Sequence, residues 1–511
     1  MGPYRNPEGR SRVRTGVIGN AVVGAGAVCA VVAALWGDGG AARPYPGLVI
    51  ACVVVVLVAA GLALAGRQHW AGPLGVVAAL WAAVLLYVDL DSGVPGNSTT
   101  VLLVSALAVT AGALIGGTRV LGAVIAVVLV AALAVSGAAW VPATAVSLTA
   151  GEPVVPAALA ERPADQPWKW TGSGAVMAAV PAGAGVVIGA RDESPGHDEI
   201  VGVDGPTGAR RWSYARPDAA LTALTATPDR ALVVAAFAPG NDWRSHQSLL
   251  VTLDAMTGEP LSEWAGEAHP TTPTTTVLPI WQGIDDDHRV TGVDLRDGTR
   301  LWSWSAPAGC RPTADGPVSG ADVLLVPLWC ADTVTVLALD ERTGEVRWEQ
   351  SEPFAAGRFT TTTSPDGRVA AVTLPGRDPR LVWAESGEPV ADLASGPRYP
   401  RVDLGVRPVA EERAAEEVLR AAVLDVETGE PTALDPRACP RPLDDATTAT
   451  TYLRLCENAD GVDLVWHTYG GPITRVPLPW SGRPPAVLLS VPGAVVAVRV
   501  GQPDVLGFPA A

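Results

Sequence analysis

Lysine is nearly absent from this chain: Lys169 is its one lysine, against 35 arginines. Histidine is scarce as well, and His197, His246, His269 and His467 are scattered, with no second ligand at helix or hairpin spacing. That excludes a zinc site built on them, because such a site needs convergent ligands. No Gly-x-Ser-x-Gly occurs, so an esterase elbow is excluded. None of the six cysteines is adjacent to another. Positive charge is in deficit, with a formal net charge of −16. An acidic surface repels phosphate, which argues against nucleic acid and anionic lipid as partners. The lack of lysine, with the excess of Ala, Gly, Val and Pro, is the composition of a GC-rich bacterial genome.

Charge is also missing from five long apolar runs near the N-terminus, at about 15–35, 47–66, 71–88, 100–117 and 120–140. A bilayer core needs roughly 17–25 such residues per helix, so residues 1–140 read as about five transmembrane helices, with four as the alternative because two runs are short. Trp36, Trp70, Tyr87 and Trp140 mark their ends, where amphipathic rings favour the interface. With the N-terminus in the cytoplasm, Arg5, Arg10, Arg12, Arg14, Arg67 and Arg119 all fall inside, and only Arg43 falls outside with Asp38, Asp89 and Asp91. The positive-inside rule therefore favours five spans and places everything after residue 140 outside the cytoplasm. The first run is too long for a cleaved signal and is followed by more spans. Cys29 continues directly into apolar residues and is a poor lipoprotein site. Without charge between the helices, and with only Asn20, Ser105, Thr110 and Ser136 as the main polar groups, a transporter is disfavoured. Gly112-x-x-x-Gly116 offers close helix approach, a weak signal in a chain with 55 glycines. Residues 141–167 hold five prolines and no periodicity, and read as a semi-extended spacer.

Most of the charge lies after residue 140, with 48 of the 52 acids and 29 of the 36 bases. A turn recurs there: VDGPTGARRW (203–212), LDAMTGEPLSEW (253–264), VDLRDGTRLW (293–302), LDERTGEVRWEQ (339–350), VWAESGEPVADL (382–393), LDVETGEPTAL (424–434) and a degenerate HTYGGPITRVPL (467–478). The turn glycines are Gly208, Gly258, Gly298, Gly344, Gly387, Gly429 and Gly471, spaced by 50, 40, 46, 43, 42 and 42 residues. A period near forty with several short strands per unit signals a β-propeller. Trp212, Trp302 and Trp348, each four residues past its glycine, offer flat faces for packing neighbouring blades.

The pattern Asp-x-x-Thr-Gly-x-x-x-Trp resembles the repeat of the PQQ-like β-propeller family, related to quinoprotein dehydrogenases and to non-enzymatic assembly scaffolds. The resemblance spans roughly 168–511 and weakens in repeats five to seven, where Ala391 and Ala433 replace Trp. It implies that active relatives hold PQQ between a Trp and a pair of adjacent cysteines, with calcium on acidic and amide groups. Adjacent cysteines are lacking here, so no cofactor, metal or catalytic residue is expected.

Blade number follows from the ends. PWKW (167–170) reads as an outgoing strand with no blade before it, Trp170 being its packing residue. AVLLSV (486–491), AVVAVRV (494–500) and VLGF (505–508) read as three strands lacking a fourth. Joining the ends gives eight blades and hides two sheet edges; seven is the alternative if the tail is irregular. The four cysteines outside the apolar runs lie at matching offsets in repeats four and seven. They predict disulfides Cys310–Cys330 and Cys439–Cys456, the first across a hairpin centred on Gly320. Asp285-Asp286-Asp287-His288 reads as a solvated hairpin loop lacking a calcium-loop pattern. AEERAAEEVLR (410–420), rich in helix formers, reads as a short inserted helix.

These readings combine into a multi-pass membrane protein with an extracellular propeller that binds a protein, cell-envelope component or small molecule. A divergent PQQ-dependent dehydrogenase and a sensor subunit signalling through a partner are the alternatives.

Overall fold

The computed structural model describes residues 8–35, 46–91 and 97–115. From 147 onward it describes all but 165, 173, 192–197, 217–218, 240–246, 268, 271, 283–288, 314–315, 354–358, 375–378, 391–400, 415–416 and 481–484. The chain divides into two units, one of residues 1–146 with 263–266 and one of 147–262 with 267–511.

In the first unit, four helices occupy the described residues: α1 (Glu8–Leu35), α2 (Pro46–Leu64), α3 (Gln68–Asp91) and α4 (Asn97–Ile115). The segments Gly47–Leu64 and Gln68–Tyr87 are long and apolar enough to cross a membrane; Gly19–Ala34 and Ser98–Ala113 are shorter apolar stretches. The expected fifth span, 120–140, lies outside the described residues. Trp70 and Tyr87 are largely exposed, as rings at an interface would be. Small residues bring the helices together: a Cβ on Gly112 would sit 2.5 Å from Val23 of α1. Ser105 Oγ donates to the Gly26 carbonyl at 2.7 Å, so α4 meets α1 through a hydroxyl and a glycine, as apolar helices in lipid do.

The second unit is eight antiparallel sheets. Blade 1 is Ala175–Ala182, Gly185–Arg191, Glu199–Asp204 and Arg210–Ala215; blade 2 is Ala219–Ala226, Leu232–Pro239, Gln247–Asp254 and Pro260–Glu267. Blade 3 is His269–Pro270, Val277–Gln282, Arg289–Asp294 and Arg300–Ser305. Blade 4 begins with two fragments, Arg311–Pro312 and Val318–Ser319, then Val323–Trp329, Thr333–Asp340 and Val346–Pro353. Blade 5 has Thr360–Thr363, Val369–Thr373 and Arg380–Trp383, with a bridge from Val382 to Pro389 where a fourth strand would start. Blade 6 is Arg401–Leu404, Pro408–Ala414, Glu417–Leu424 and Pro431–Leu434; blade 7 is Pro442–Thr447, Thr451–Glu457, Val462–Thr468 and Ile473–Leu478. Blade 8 joins Ala486–Val491, Ala494–Arg499 and Asp504–Pro509 to Trp168–Thr171 from the other end of the sequence, with Lys169 opposite Leu506. The ring is an eight-bladed propeller closed by both ends of the sheet-forming chain.

The core lies between blades. On Val323–Trp329, Val323 and Leu325 pack with blade 5, whereas Leu324, Val326 and Leu328 pack with blade 3. That is the period of two expected when both faces of a sheet are buried.

The same alternation corrects one expectation. Residues 410–414 and 417–420 are not helical but belong to two paired strands, Pro408–Ala414 and Glu417–Leu424. Ala410 packs toward blade 5 and Val409 toward blade 7. Burial on two faces overrides the helix propensity of Ala, Glu, Leu and Arg.

Residues 147–164 also differ from a free spacer. Ser147–Thr149 pairs with the outer strand of blade 1. The Gly493 amide donates to the Ala158 carbonyl at 2.8 Å. The hydroxyls of Thr450 and Thr451 bond Glu161 at 2.5 and 2.7 Å. The segment is a strap across the turn-bearing end of blades 7, 8 and 1.

Candidate functional site

The recurring turn is a cap built around its Asp. Asp340 Oδ1 accepts from the amides of Arg342 (3.0 Å) and Thr343 (2.9 Å). Asp425 does the same for Glu427 and Thr428, and Asp254 for Met256 and Thr257. Burial works against ionisation of Asp340, but the Arg347 fork and these amides outweigh it and hold its carboxyl below the usual range. Gly208, Gly258, Gly298, Gly344, Gly387 and Gly429 all have φ between 70° and 75°, a region that costs an L side chain strain. In repeat seven the positive φ belongs to Gly470 (68°) rather than the expected Gly471. There the Gly471 amide bonds the Thr468 carbonyl, three residues back rather than the four of Gly344 to Asp340. The turn is one residue shorter, which moves the left-handed position back by one.

Tryptophan fastens one blade to the next. Trp212 Nε1 donates to the Ala255 carbonyl at 3.0 Å, Trp302 to Glu341 at 2.6 Å and Trp348 to Ala384 at 2.9 Å. Each acceptor follows the first residue of the next blade's turn. Each ring also covers that turn's glycine: a Cβ on Gly258 would lie 2.5 Å from Trp212, and one on Gly344 2.7 Å from Trp302. In blade 8 this role belongs to Trp168, which donates to the Gly205 carbonyl at 2.8 Å and covers Gly208. Trp170, the expected packing residue, packs against the cluster between blades 8 and 1, while the hydrogen bond and the glycine contact belong to Trp168. The third strand carried the signal: Trp168 lies opposite Gly507, as Trp212 lies opposite Gly202 and Trp302 opposite Gly292.

Both disulfides form. Cys310–Cys330 joins the ends of a ladder in which Arg311 faces Trp329. Cys439–Cys456 departs from simple facing: Cys456 lies opposite Pro442, while Cys439 ends the short 3-10 turn Pro436–Ala438 three residues upstream.

One cluster was not anticipated. Between blades 6 and 7, Glu411 is fully buried and Arg454 is 3% exposed, with Arg454 Nη2 3.1 Å from Glu411 Oε1. The guanidinium lies 4.3 Å from the centre of the Tyr452 ring, whose hydroxyl donates to Asp445 at 2.6 Å. Burial, reinforced by the nearby charges of Asp403 and Glu411, pushes Asp445 up to about 6 against the opposing Tyr452 bond and Arg454 charge. Glu411 and Arg454 are 43 residues apart, and no local pattern pairs them. Only strand alternation, with Glu411 two residues after inward Val409, points to its burial.

In each blade the repeat turn and the first hairpin turn lie at one end, and the second-to-third-strand connection lies at the other. The two ends differ. The repeat turn recurs from blade to blade, while the sequence segments between second and third strands, 192–198, 240–246, 283–288, 330–332 and 374–379, run from three to seven residues and share no motif. At this varied end of blade 4, Cys310, Arg311, Trp329 and Cys330 line a cleft of about 570 Å³. At the other end a cavity of about 620 Å³ lies beneath the strap, lined by Leu159, Glu161, Thr450, Thr468 and Gly493 among others. His467 is half-buried, and no group of three potential metal ligands occurs among the described residues. Asp285-Asp286-Asp287-His288, His197, His246 and Ala391 lie outside the described residues.

Comparison with known proteins agrees with the repeat. Residues 286–433 match the PQQ-like family model described as "Outer membrane protein assembly factor BamB". No curated protein matches the chain. Among solved structures, BamB from Moraxella catarrhalis is similar at 16% identity and a TM-score of 0.41, over 67% of this chain and 100% of that one. The propeller domain of the trilobed protease from Pyrococcus furiosus is similar at 12% identity and a TM-score of 0.38, over 60% and 99%. The family match thus falls within the eight-bladed propeller, over residues 286–433.

Proposed function

We propose that this chain is a membrane-anchored scaffold. Its helices hold it in a bilayer with the N-terminus in the cytoplasm, and its propeller presents one end to a protein or cell-envelope ligand outside. The observation behind this reading is the difference between the two ends. Asp, Thr, Gly and Trp of the repeat are consumed in capping turns and fastening blades, so they are scaffold rather than chemistry. The second-to-third-strand connections opposite the repeat turns carry no such motif, and specificity grafted on a common fold resides in loops of that kind. The strap occupies part of the turn end, leaving the varied end as the open one. The matched family's description as an assembly factor supports a binding role, and the reading is non-enzymatic.

Photo-crosslinking residues at Asp332 and Asp460, on the varied end, should capture a defined partner in intact cells. The same residues at Arg342 and Glu427, on the repeat turns, should capture little. Equal capture from both ends, or capture from the turns alone, contradicts the proposal. Addition of PQQ and calcium should produce no bound-cofactor absorbance; a stoichiometric spectrum would favour a dehydrogenase instead.

A further inference from the structure

The two disulfides sit in unlike surroundings. Cys439 and Cys456 are 0% and 2% exposed. Cys310 and Cys330 are half-buried, and both line the 570 Å³ cleft beside exposed Arg311 and Ala331. Each occupies a tight turn: the Cys310 amide bonds the Pro307 carbonyl and the Cys330 amide bonds the Thr333 carbonyl, both at 2.9 Å. Residues 307–309 and 331–332 around them are exposed. The inner strand that Cys310 leads into is broken in two. It is only Arg311–Pro312 and Val318–Ser319, with two ladder positions each. Cys439 precedes a six-residue inner strand, Pro442–Thr447.

We propose that Cys310–Cys330 is a thiol–disulfide exchange site for a dithiol reductant, while Cys439–Cys456 is a permanent staple. A thiolate entering the cleft attacks one sulfur, the Cys310–Cys330 bond breaks, and the displaced sulfur leaves as a thiolate. The reductant's second thiol then resolves the mixed disulfide. The reductant departs oxidised, and the chain holds two thiols after gaining two electrons and two protons. Exchange rates depend on access and on stabilisation of the leaving thiolate, and a neighbouring guanidinium lowers a thiol's pKa. Arg311 supplies that charge at the cleft. Reduction releases the entry to the inner strand of blade 4 from its one covalent hold and widens the cleft at the varied end. This inference does not rest on the proposed binding role.

The test treats the full chain in detergent with dithiothreitol at pH 7, quenches aliquots by alkylation and maps each cysteine by mass spectrometry. Cys310 and Cys330 should become labelled at least tenfold faster than Cys439 and Cys456, with the circular dichroism of the propeller unchanged. Hydrogen exchange at 306–312 should rise after reduction, while exchange at 436–442 stays as before. Arg311→Gln should slow release several-fold. Equal rates for the two pairs, earlier release of Cys439–Cys456, or release only with unfolding would overturn the proposal. An unchanged rate in Arg311→Gln would remove Arg311 from it.

Discussion

Blades 8, 1, 3 and 4 are fastened to the next blade by a tryptophan; blade 6 is fastened to blade 7 by buried charge. At the first kind of junction, an indole N–H meets a carbonyl and the ring lies on a glycine. At the second, Ala433 stands where the tryptophan would be, and Glu411, Arg454, Tyr452 and Asp445 fill the junction. Arg407 adds a stack on Tyr469 at 5.5 Å, and Thr447 Oγ1 bonds both the amide and carbonyl of Arg407 at 2.9 Å. The turn survives both solutions. In blade 5, Trp383 replaces the capping Asp, yet its amide still bonds the Glu388 carbonyl at 2.8 Å and Gly387 keeps φ at 72°. Glycine and the backbone therefore set the turn, and the side chains decide only how adjacent blades are joined.

The two fasteners should fail differently. The largest effect is expected at the charged junction. Arg454→Met leaves Glu411 buried without its cation, which typically costs about 3–5 kcal/mol. The double variant with Glu411→Leu should regain most of that loss, because replacing a buried pair by apolar groups is often neutral. Thermal melts of the two variants in detergent check this; a double variant as unstable as the single one would mean that the pair is not the fastener.

Trp302→Ala should cost about 3–4 kcal/mol through the cavity it leaves, with hydrogen exchange rising first around Gly344 on the far side of the junction. Exchange that rises only within blade 3 would break the comparison.

The turn itself should respond least. Asp340→Ala removes two amide caps and the Arg347 fork and should cost about 1 kcal/mol, in the range for losing a helix cap. Ser386→Ala in blade 5, whose hydroxyl accepts one bond at 3.2 Å, should stay within about 0.5 kcal/mol. Equal costs at the two positions would show that the Asp adds nothing to the backbone turn.

What was legible in the chain was local. The turn glycine stands four residues after the turn's first residue, and six of the seven expected glycines take the left-handed φ. The seventh was misplaced by one because Gly470 and Gly471 are neighbours and only backbone geometry separates them. Ring closure was legible because an orphan strand at one end matched a missing strand at the other. The disulfide pairs were legible because cysteines recurred at equivalent offsets. What failed depends on distant partners. The paired strands over 410–414 and 417–420 have helix-forming composition, and the blades on either side make them sheet. Within PWKW both tryptophans pack between blades 8 and 1, and which of them also meets the turn glycine is decided by Gly507, far along the chain. The charged junction joins residues more than forty positions apart, which no turn or periodicity announces.

The comparison has one pH-dependent consequence. Asp445 has a folded pKa of about 6, above the ordinary value near 4. The folded state then binds more protons than the unfolded chain between those values. Stability at this junction falls as pH rises from about 4 to about 6 and is level above that. Asp340 and Asp425 are held below their usual range, so their contribution is lost only as pH falls below about 4. The decisive measurement is hydrogen exchange of the full chain at pH 5 and pH 7.5, corrected for intrinsic rates and read junction by junction. Residues 403–411 and 445–454 should be better protected at pH 5, by about 1 kcal/mol. The junction around Trp302 and Gly344 should not change, and Asp445→Asn should remove the difference. The same pH response at both junctions, or a response at 403–454 that persists in Asp445→Asn, would contradict the account of two distinct fasteners.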